Sequence, residues 1–396
     1  MVYTSLCCHS VSVVSIIDPK NGFPVPKNLA LAPLLSTFKG TTNSYKFLLF
    51  RTILREGIEK NRQIIPFRDI AIGIMEEAWW PGFHFRLNFG PQDMVVRRIR
   101  DAKLGEEDDL AEPTRIRAKI SKVVGQAGRE ELLRYVPYRF IRPWFSELQG
   151  LVDAKVNRRV AELGNRYFQS KKPLYRVILH SREFSDVTNE IELHEDWFDY
   201  LSDNLAVVKG WSDAIWLRFL EHRNPNVPRI SKKILINPER ESLTGQRKLW
   251  SSVIGQTAVI SIFTGKPLTK DGFNLDHFLP WSFVAHNRFW NLTPIEKELN
   301  FSKSNRLPTL EFIPSLANQH AMLANRVHKL SEPLNREWRK ALDDYATDLK
   351  IDEAKICDPA VLETQYQDIF RGLIGVARRM GFQDWQYEHC EGKNEI

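Results

Sequence analysis

Between Asp276 and Pro308 the chain reads DHFLPWSFVAHNRFWNLTPIEKELNFSKSNRLP, and its polar residues have the types and spacing of a phosphodiester-cleaving centre. Asp276 and His277 are adjacent, Asn291 lies between them and a second Asn, and Asn300 and Lys303 are three residues apart. A carboxylate oxygen and an amide oxygen suit a hard cation such as Mg²⁺, which prefers oxygen and keeps several of its waters. Such an ion can polarise a phosphate and neutralise charge on a leaving oxygen. Histidine titrates near neutrality, so His277 can take a proton from an attacking water. Lys303 can stabilise the charge that accumulates at phosphorus.

These side chains need elements that bring them together. Phe273 to Phe278 is predicted as a strand carrying Asp276 and His277 at its end. A loop with Pro280 and Ser282 follows, then a second short strand over Trp290 to Thr293. Thr293-Pro294-Ile295-Glu296 has the form of a capping box, which would start a helix there, while a start near Lys297 is the alternative. Either start puts Asn300 and Lys303 one turn apart on one face, with Ile295 and Leu299 packing the helix against the strands.

This strand-loop-strand-helix pattern resembles the HNH, or ββα-metal, finger of endonucleases over roughly Val259 to Pro308. The resemblance implies that Asp276 and Asn300 are metal ligands and His277 the general base. Asn291 would pin the loop and orient His277, and Lys303 would lie near the phosphate. Many such fingers carry two C-x-x-C pairs around a structural zinc. Here those places hold Ser261, Thr264, Glu296 and Leu299, so no structural zinc is expected and packing by Phe273, Trp290, Ile295 and Leu299 must brace the finger. Asn300 in place of the third histidine favours Mg²⁺ or Mn²⁺. Arg288, Lys297 and Arg306 flank the finger and are candidates for contact with DNA phosphates, equally readable as solvated charges. Lys266 and Lys270 carry the same two readings. His286 lies inside the loop, where an approach to the phosphate or metal and a loop-stabilising role are equal readings, and it is left out of the catalytic set.

The remainder of the 396 residues reads as mainly helical. Phe47, Phe50, Leu54 and Ile58 mark one apolar helical stripe, and a second helix is expected from Pro66 to Trp79 with Ile70, Ile74 and Ala78 inward. Gly82 to Gly90 is expected to be a short strand or extended turn. Leu104 to Pro113 is an acidic interruption, and a basic section with interleaved aromatics follows from Arg115 to Trp144, read chiefly as solvated helix faces. A strand is expected at Pro173 to Leu179. Helices are expected over Asp196–Ala206, Ser212–Glu221 and Leu243–Ile260, and again after Pro308. Asn224 to Pro228 is a breaker. His194-Glu195-Asp196 is read as a helix start.

The fold class expected is therefore α+β, predominantly α-helical, with a small ββα-metal finger in the C-terminal half. Four regions are expected: 1–105 helical, 114–228 α-rich with a short strand, 240–315 the finger, and 316–396 helical. A formal charge of +7 permits a polyanionic partner. Four cysteines without a C-x-x-C give neither a disulfide framework nor a zinc ribbon, and fit a reducing, cytoplasmic setting. The N-terminal run, including a short strand at Ser12 to Ile17, lacks the marks of a signal peptide, and no segment has transmembrane length. Cys7, Cys8 and His9 lack a fourth ligand, and His389 and Cys390 lie too near the terminus to argue from.

The resemblance implies a metal-dependent endonuclease acting on DNA. Thr41 to Phe50 and Arg86 to Asp93 also look like the front of bacterial HNH proteins of restriction or anti-phage defence settings, where a homo-oligomer or a partner defence protein is expected. Two alternatives stay open on sequence: a non-catalytic nucleic-acid-binding protein on the same scaffold, and a nuclease directed at RNA.

Overall fold

The computed structural model describes residues 24, 26, 28–101, 113–126, 128, 130–148, 153–234, 241–327, 330 and 332–387. The Ser12–Ile17 strand, nearly all of the Leu104–Pro113 interruption, and Cys7, Cys8, His9, His389 and Cys390 lie outside these residues. The described part is mainly helical with two small antiparallel sheets. The chain divides into two compact units: Met1–Pro225 with Lys233–Pro238, and Asn226–Lys232 with Glu239–Ile396. The first unit ends inside the Asn224–Pro228 breaker.

In the first unit, α1 (Tyr45–Ile53) carries the apolar stripe, and Phe47, Phe50, Leu54 and Ile58 are all buried. It continues as a π-helix over Leu54–Glu59. β1 (Ile64–Pro66) leads into α2 (Phe67–Ala78), so Pro66 caps the helix in extended conformation instead of opening its first turn. Ile70, Ile74 and Ala78 are buried as expected. Gly73 is where α2 meets α1 most closely, since a Cβ there would lie 2.3 Å from Thr52 Cγ2. The Gly82–Gly90 segment forms no strand. A π-helix over Trp79–His84 takes its start, and the Phe85 and Leu87 amides bond back to Trp80 and Pro81 instead of to a neighbouring strand.

β2 (Tyr175–Ile178) is the expected strand, and it pairs with β3 (Glu190–Leu193) in a three-stranded sheet of order β1-β3-β2. His194 ends that sheet and starts a helix over Glu195–Asp203, its Nδ1 accepting from the Asp196 amide at 3.1 Å. α3 (Leu205–Arg223) buries Trp216, Phe219 and Leu220.

Where the sequence shows only separate charges, this unit gathers them. Glu56, fully buried, meets Arg117 at 2.8 Å and Lys60 at 2.6 Å, while Arg55 reaches Glu76 and Glu77. Arg117, from the basic section, is thus spent on internal ion pairs. Each buried carboxylate needs such a partner, because taking it from water unpaired costs several kcal/mol.

The second unit holds α4 (Thr244–Ile254), β4 (Phe273–His277), β5 (Leu292–Glu296) and α5 (Lys297–Lys303). Three longer helices follow: α6 (Ile313–Val327), α7 (Glu332–Asp344) and α8 (Pro359–Arg379). The strand-loop-strand-helix element and these helices share one core that includes Trp250, Phe289, Trp290, Tyr366 and Phe370. Among the described residues, no helix is long and apolar enough to cross a membrane.

A histidine ties that core to the sheet. His320 on α6 is fully buried, with Nε2 2.9 Å from the Leu292 carbonyl of β5. Its Nδ1 lies 2.5 Å from the Tyr366 hydroxyl and 3.1 Å from that of Tyr345. A carbonyl at Nε2 requires an N–H there, which leaves Nδ1 of the neutral ring to accept from a tyrosine hydroxyl. Burial pushes its pKa down from 6.5 to about 4. The unfolded chain therefore binds the additional proton between these values, and folding weakens as pH falls through the window. Thermal unfolding of the parent, followed by tryptophan fluorescence, should lose up to about 3 kcal/mol from this group between pH 7 and pH 4. A His320→Gln variant, though less stable at pH 7, should show a shallower dependence across the same window.

Candidate active site

Pairing of β4 with β5 sets Asp276 opposite Thr293 and His277 opposite Leu292. The second strand starts two residues later than expected, because Phe289–Asn291 closes as a single 3-10 turn before it. The helix starts at Lys297, so the capping box at Thr293 is not formed. Thr293 lies inside the strand, and its hydroxyl donates to Gln319 Oε1 at 2.8 Å. Gln319 in turn donates to the Ile260 carbonyl at 2.9 Å, so the threonine serves the core and not a helix end.

Asn291 is fully buried and holds the loop at both polar ends of its amide. Its Oδ1 accepts from the Leu279 N–H at 2.8 Å, and its Nδ2 donates to the Leu279 carbonyl at 3.0 Å. The Phe278 amide also donates to the Asn291 carbonyl at 2.7 Å. These bonds fix the chain just after His277. Asn291 acts here as a clamp on the backbone, and the structure places it against no reacting group.

His277 Nε2 lies 2.9 Å from Asn287 Oδ1. Asn287 Nδ2 donates to the Glu241 carbonyl at 2.8 Å, which fixes the amide orientation and leaves its oxygen for the ring. His277 therefore directs an N–H from Nε2 to Asn287. Sequence reasoning passed over Asn287. Its signal, an Asn ten residues after His277, gains meaning only once the loop folds back onto the strand.

Lys303 is fully buried. Its ammonium donates to the His277 carbonyl at 2.7 Å and stands 2.8 Å from Asp276 Oδ2. The approach to Asp276 is an ion pair off the hydrogen-bond direction, because Oδ2 accepts no hydrogen bond among the described residues. Asn300, one turn earlier on α5, is half-buried. The chain thus brings Asp276, His277 and Lys303 into contact, with Asn291 holding the loop behind His277 and Asn300 one turn before Lys303 on α5.

The flanking cations divide. Arg288 pairs with Asp344 and Asp348, with Nε 3.1 Å from Asp348 Oδ2. The same carboxylates receive the Phe289 amide and the Trp290 indole N–H, so Arg288 is built into the join with α7. Lys297 and Arg306 are exposed, as are Lys266 and Lys270. His286 accepts from the Arg288 amide through Nδ1 at 3.2 Å and packs near Trp290.

Three of the four positions that would carry a zinc knuckle meet without one. The Ser261 hydroxyl donates to Glu296 Oε2 at 2.7 Å, and the Thr264 hydroxyl donates to Oε1 of the same carboxylate. Leu299, the fourth, packs against the core. Glu296 ends β5 and caps α5, so the clasp fixes the direction in which the helix leaves the sheet. Hydrogen bonds to a charged group contribute about 1.5–3 kcal/mol each. A structural zinc contributes about 10–16 kcal/mol. The clasp is thus the weaker device, and aromatic packing adds to it, with Phe263 4.8 Å from Phe312 and 4.9 Å from Trp385 between ring centroids.

A divalent ion fits the donor set. Among the described residues no three His, Cys, Asp or Glu side chains cluster as a metal cage. A hard ion would instead take the Asp276 carboxylate, whose Oδ2 also meets the Lys303 ammonium at 2.8 Å, with the Asn300 amide oxygen and water completing its shell. Residues 261–309 match the family model described as HNH endonuclease. No curated protein and no solved structure matches the chain.

Two substitutions test this geometry. Glu296→Ala should lower the unfolding free energy by about 1–3 kcal/mol, read from a denaturant midpoint, with Glu296→Gln losing less. Asn287→Ala should reduce nuclease turnover about tenfold or more and shift its pH profile, since freeing Nε2 lets the other tautomer compete. An unchanged profile would remove Asn287 from the positioning role.

Proposed function

Because residues 261–309 carry an HNH endonuclease domain, we propose that this protein hydrolyses DNA phosphodiester bonds with His277 as general base and Asp276 and Asn300 as ligands of a catalytic Mg²⁺ or Mn²⁺. The observation that carries the reading is the pairing at the end of β4. His277 has its Nε2 proton directed at Asn287, and next to it Asp276 presents a carboxylate held by the Lys303 ammonium.

The bound ion would polarise the phosphate and stabilise the departing oxygen. The protein's own share is in placement. His277 Nδ1 takes the proton of the attacking water while Nε2 stays bonded to Asn287, so the imidazolium that forms is held by the same oxygen. Asn291 keeps the strand end and loop from shifting during that transfer. Lys303 holds Asp276 and the His277 carbonyl together, and its positive charge lies within the site where negative charge builds. Lys297 and Arg306 are the exposed cations available to the phosphate backbone. Arg288 is engaged internally and is left out of this set.

The likeness of Thr41 to Phe50 and Arg86 to Asp93 to bacterial proteins of restriction and defence settings supports an anti-phage or restriction effector working in the cytoplasm. A single site of this kind per chain nicks one strand, and paired subunits would cut two.

The deciding measurement is cleavage of supercoiled plasmid by purified protein with Mg²⁺, Mn²⁺ or EDTA. Cleavage should require the ion, and His277→Ala should cut about 10²–10⁴-fold more slowly while keeping the parent's unfolding midpoint within a few degrees. Parent-like cutting by His277→Ala would sink the catalytic assignment.

A further inference from the structure

Phe301 is the most exposed large apolar side chain among the described residues, at 82%. It directly follows Asn300 on α5 and stands one helical turn after Lys297, which is also exposed. Burial alternates along this helix as the fold requires: Lys303 turns inward to Asp276, while Lys297 and Phe301 share the solvent face. A phenyl ring left in water beside a candidate metal ligand has no role in packing the finger.

The ring's surroundings bear on what could cover it. Glu298, Ser302, Ser304, Asn305 and Arg306 are all exposed and polar, so the chain around Phe301 supplies polar and cationic groups to the same surface. An aromatic with cations beside it is the arrangement that binds unpaired nucleotides, where the ring stacks on a base and the cations meet the backbone. The geometry points to Phe301 as a stacking platform for an unpaired base next to the scissile phosphate, giving the site a preference for single-stranded or locally opened nucleic acid. This rests on the nuclease reading, because the position of the base is defined by the phosphate held at Asp276 and Asn300. Stacking on Phe301 would also set which phosphate lies before His277, since one nucleotide is then fixed relative to the metal ligand that precedes it in the chain.

The test separates binding from cutting. In the full chain carrying His277→Ala, fluorescence anisotropy is measured with labelled single-stranded DNA, a duplex containing an unpaired bubble, and a perfect duplex. Phe301→Ala should weaken the first two by roughly tenfold and the third by less. Phe301→Trp should restore them and Phe301→Leu should not, because leucine offers apolar surface without a π-face. Equal binding by Phe301→Ala, or full rescue by Phe301→Leu, overturns the stacking role. Thermal unfolding of Phe301→Ala should match the parent, since an exposed ring supports no core. Cleavage by the chain with His277 intact is run alongside with Mg²⁺ and Mn²⁺. If it cuts and Phe301→Ala cuts opened substrates equally fast, stacking falls and the nuclease reading stands. If it cuts nothing, the nuclease reading falls, and the binding series still decides the fate of the platform.

Discussion

A lysine with no exposure to solvent must have its charge answered inside the protein, and Lys303 meets that demand at one place, the end of β4. An uncompensated buried ammonium would cost several kcal/mol, so α5 cannot drift from the strand without losing the carboxylate of Asp276 and the carbonyl of His277. This constraint sets the remaining geometry. With Lys303 fixed, Asn300 is brought to the same side one turn earlier and Phe301 is turned outward. The charge that organises the finger is thus answered wholly by the end of β4.

The second determinant is the junction at Glu296. Ser261 and Thr264 reach it from a turn more than thirty residues away, and Gln319 ties that turn to Thr293 through the Ile260 carbonyl. Polar bonds thus bind two separate segments, that turn and α6, to the five-residue strand β5. His320, next to Gln319 on α6, adds another through Leu292, the residue opposite His277. The helices after the finger are therefore part of its frame, which accounts for a single hydrophobic core running from Leu249 to Trp385.

The sequence made the finger legible because its spacing is local. Asp276 and His277 are neighbours, and Asn300 and Lys303 are one helical turn apart, so spacing alone predicts their convergence. The apolar stripes at Phe47–Ile58 and Ile70–Ala78 were legible for the same reason, and the mainly helical fold with a small finger followed from them. What could not be read depends on distant partners. Asn287 owes its role to the Glu241 carbonyl, and Arg288 to Asp344 and Asp348. The capping box at Thr293 was a sound local signal overruled by a bond to Gln319. The strands at Ile64–Pro66 and Glu190–Leu193 are too short for their alternation to stand out, and they form by pairing with each other and with Tyr175–Ile178. Brace and catalyst look alike in sequence when both are polar.

The hydroxyl–carboxylate clasp has a consequence for how such a finger lives in a cell. In a zinc-knuckle relative, one class of ion maintains the fold and another performs the chemistry, so scarcity of either disables the protein, and oxidants reach it through its thiolates. Here Ser261, Thr264 and Glu296 hold the scaffold with groups that neither oxidise nor exchange. The clasp is closed by protein groups alone, so forming it calls on no ion.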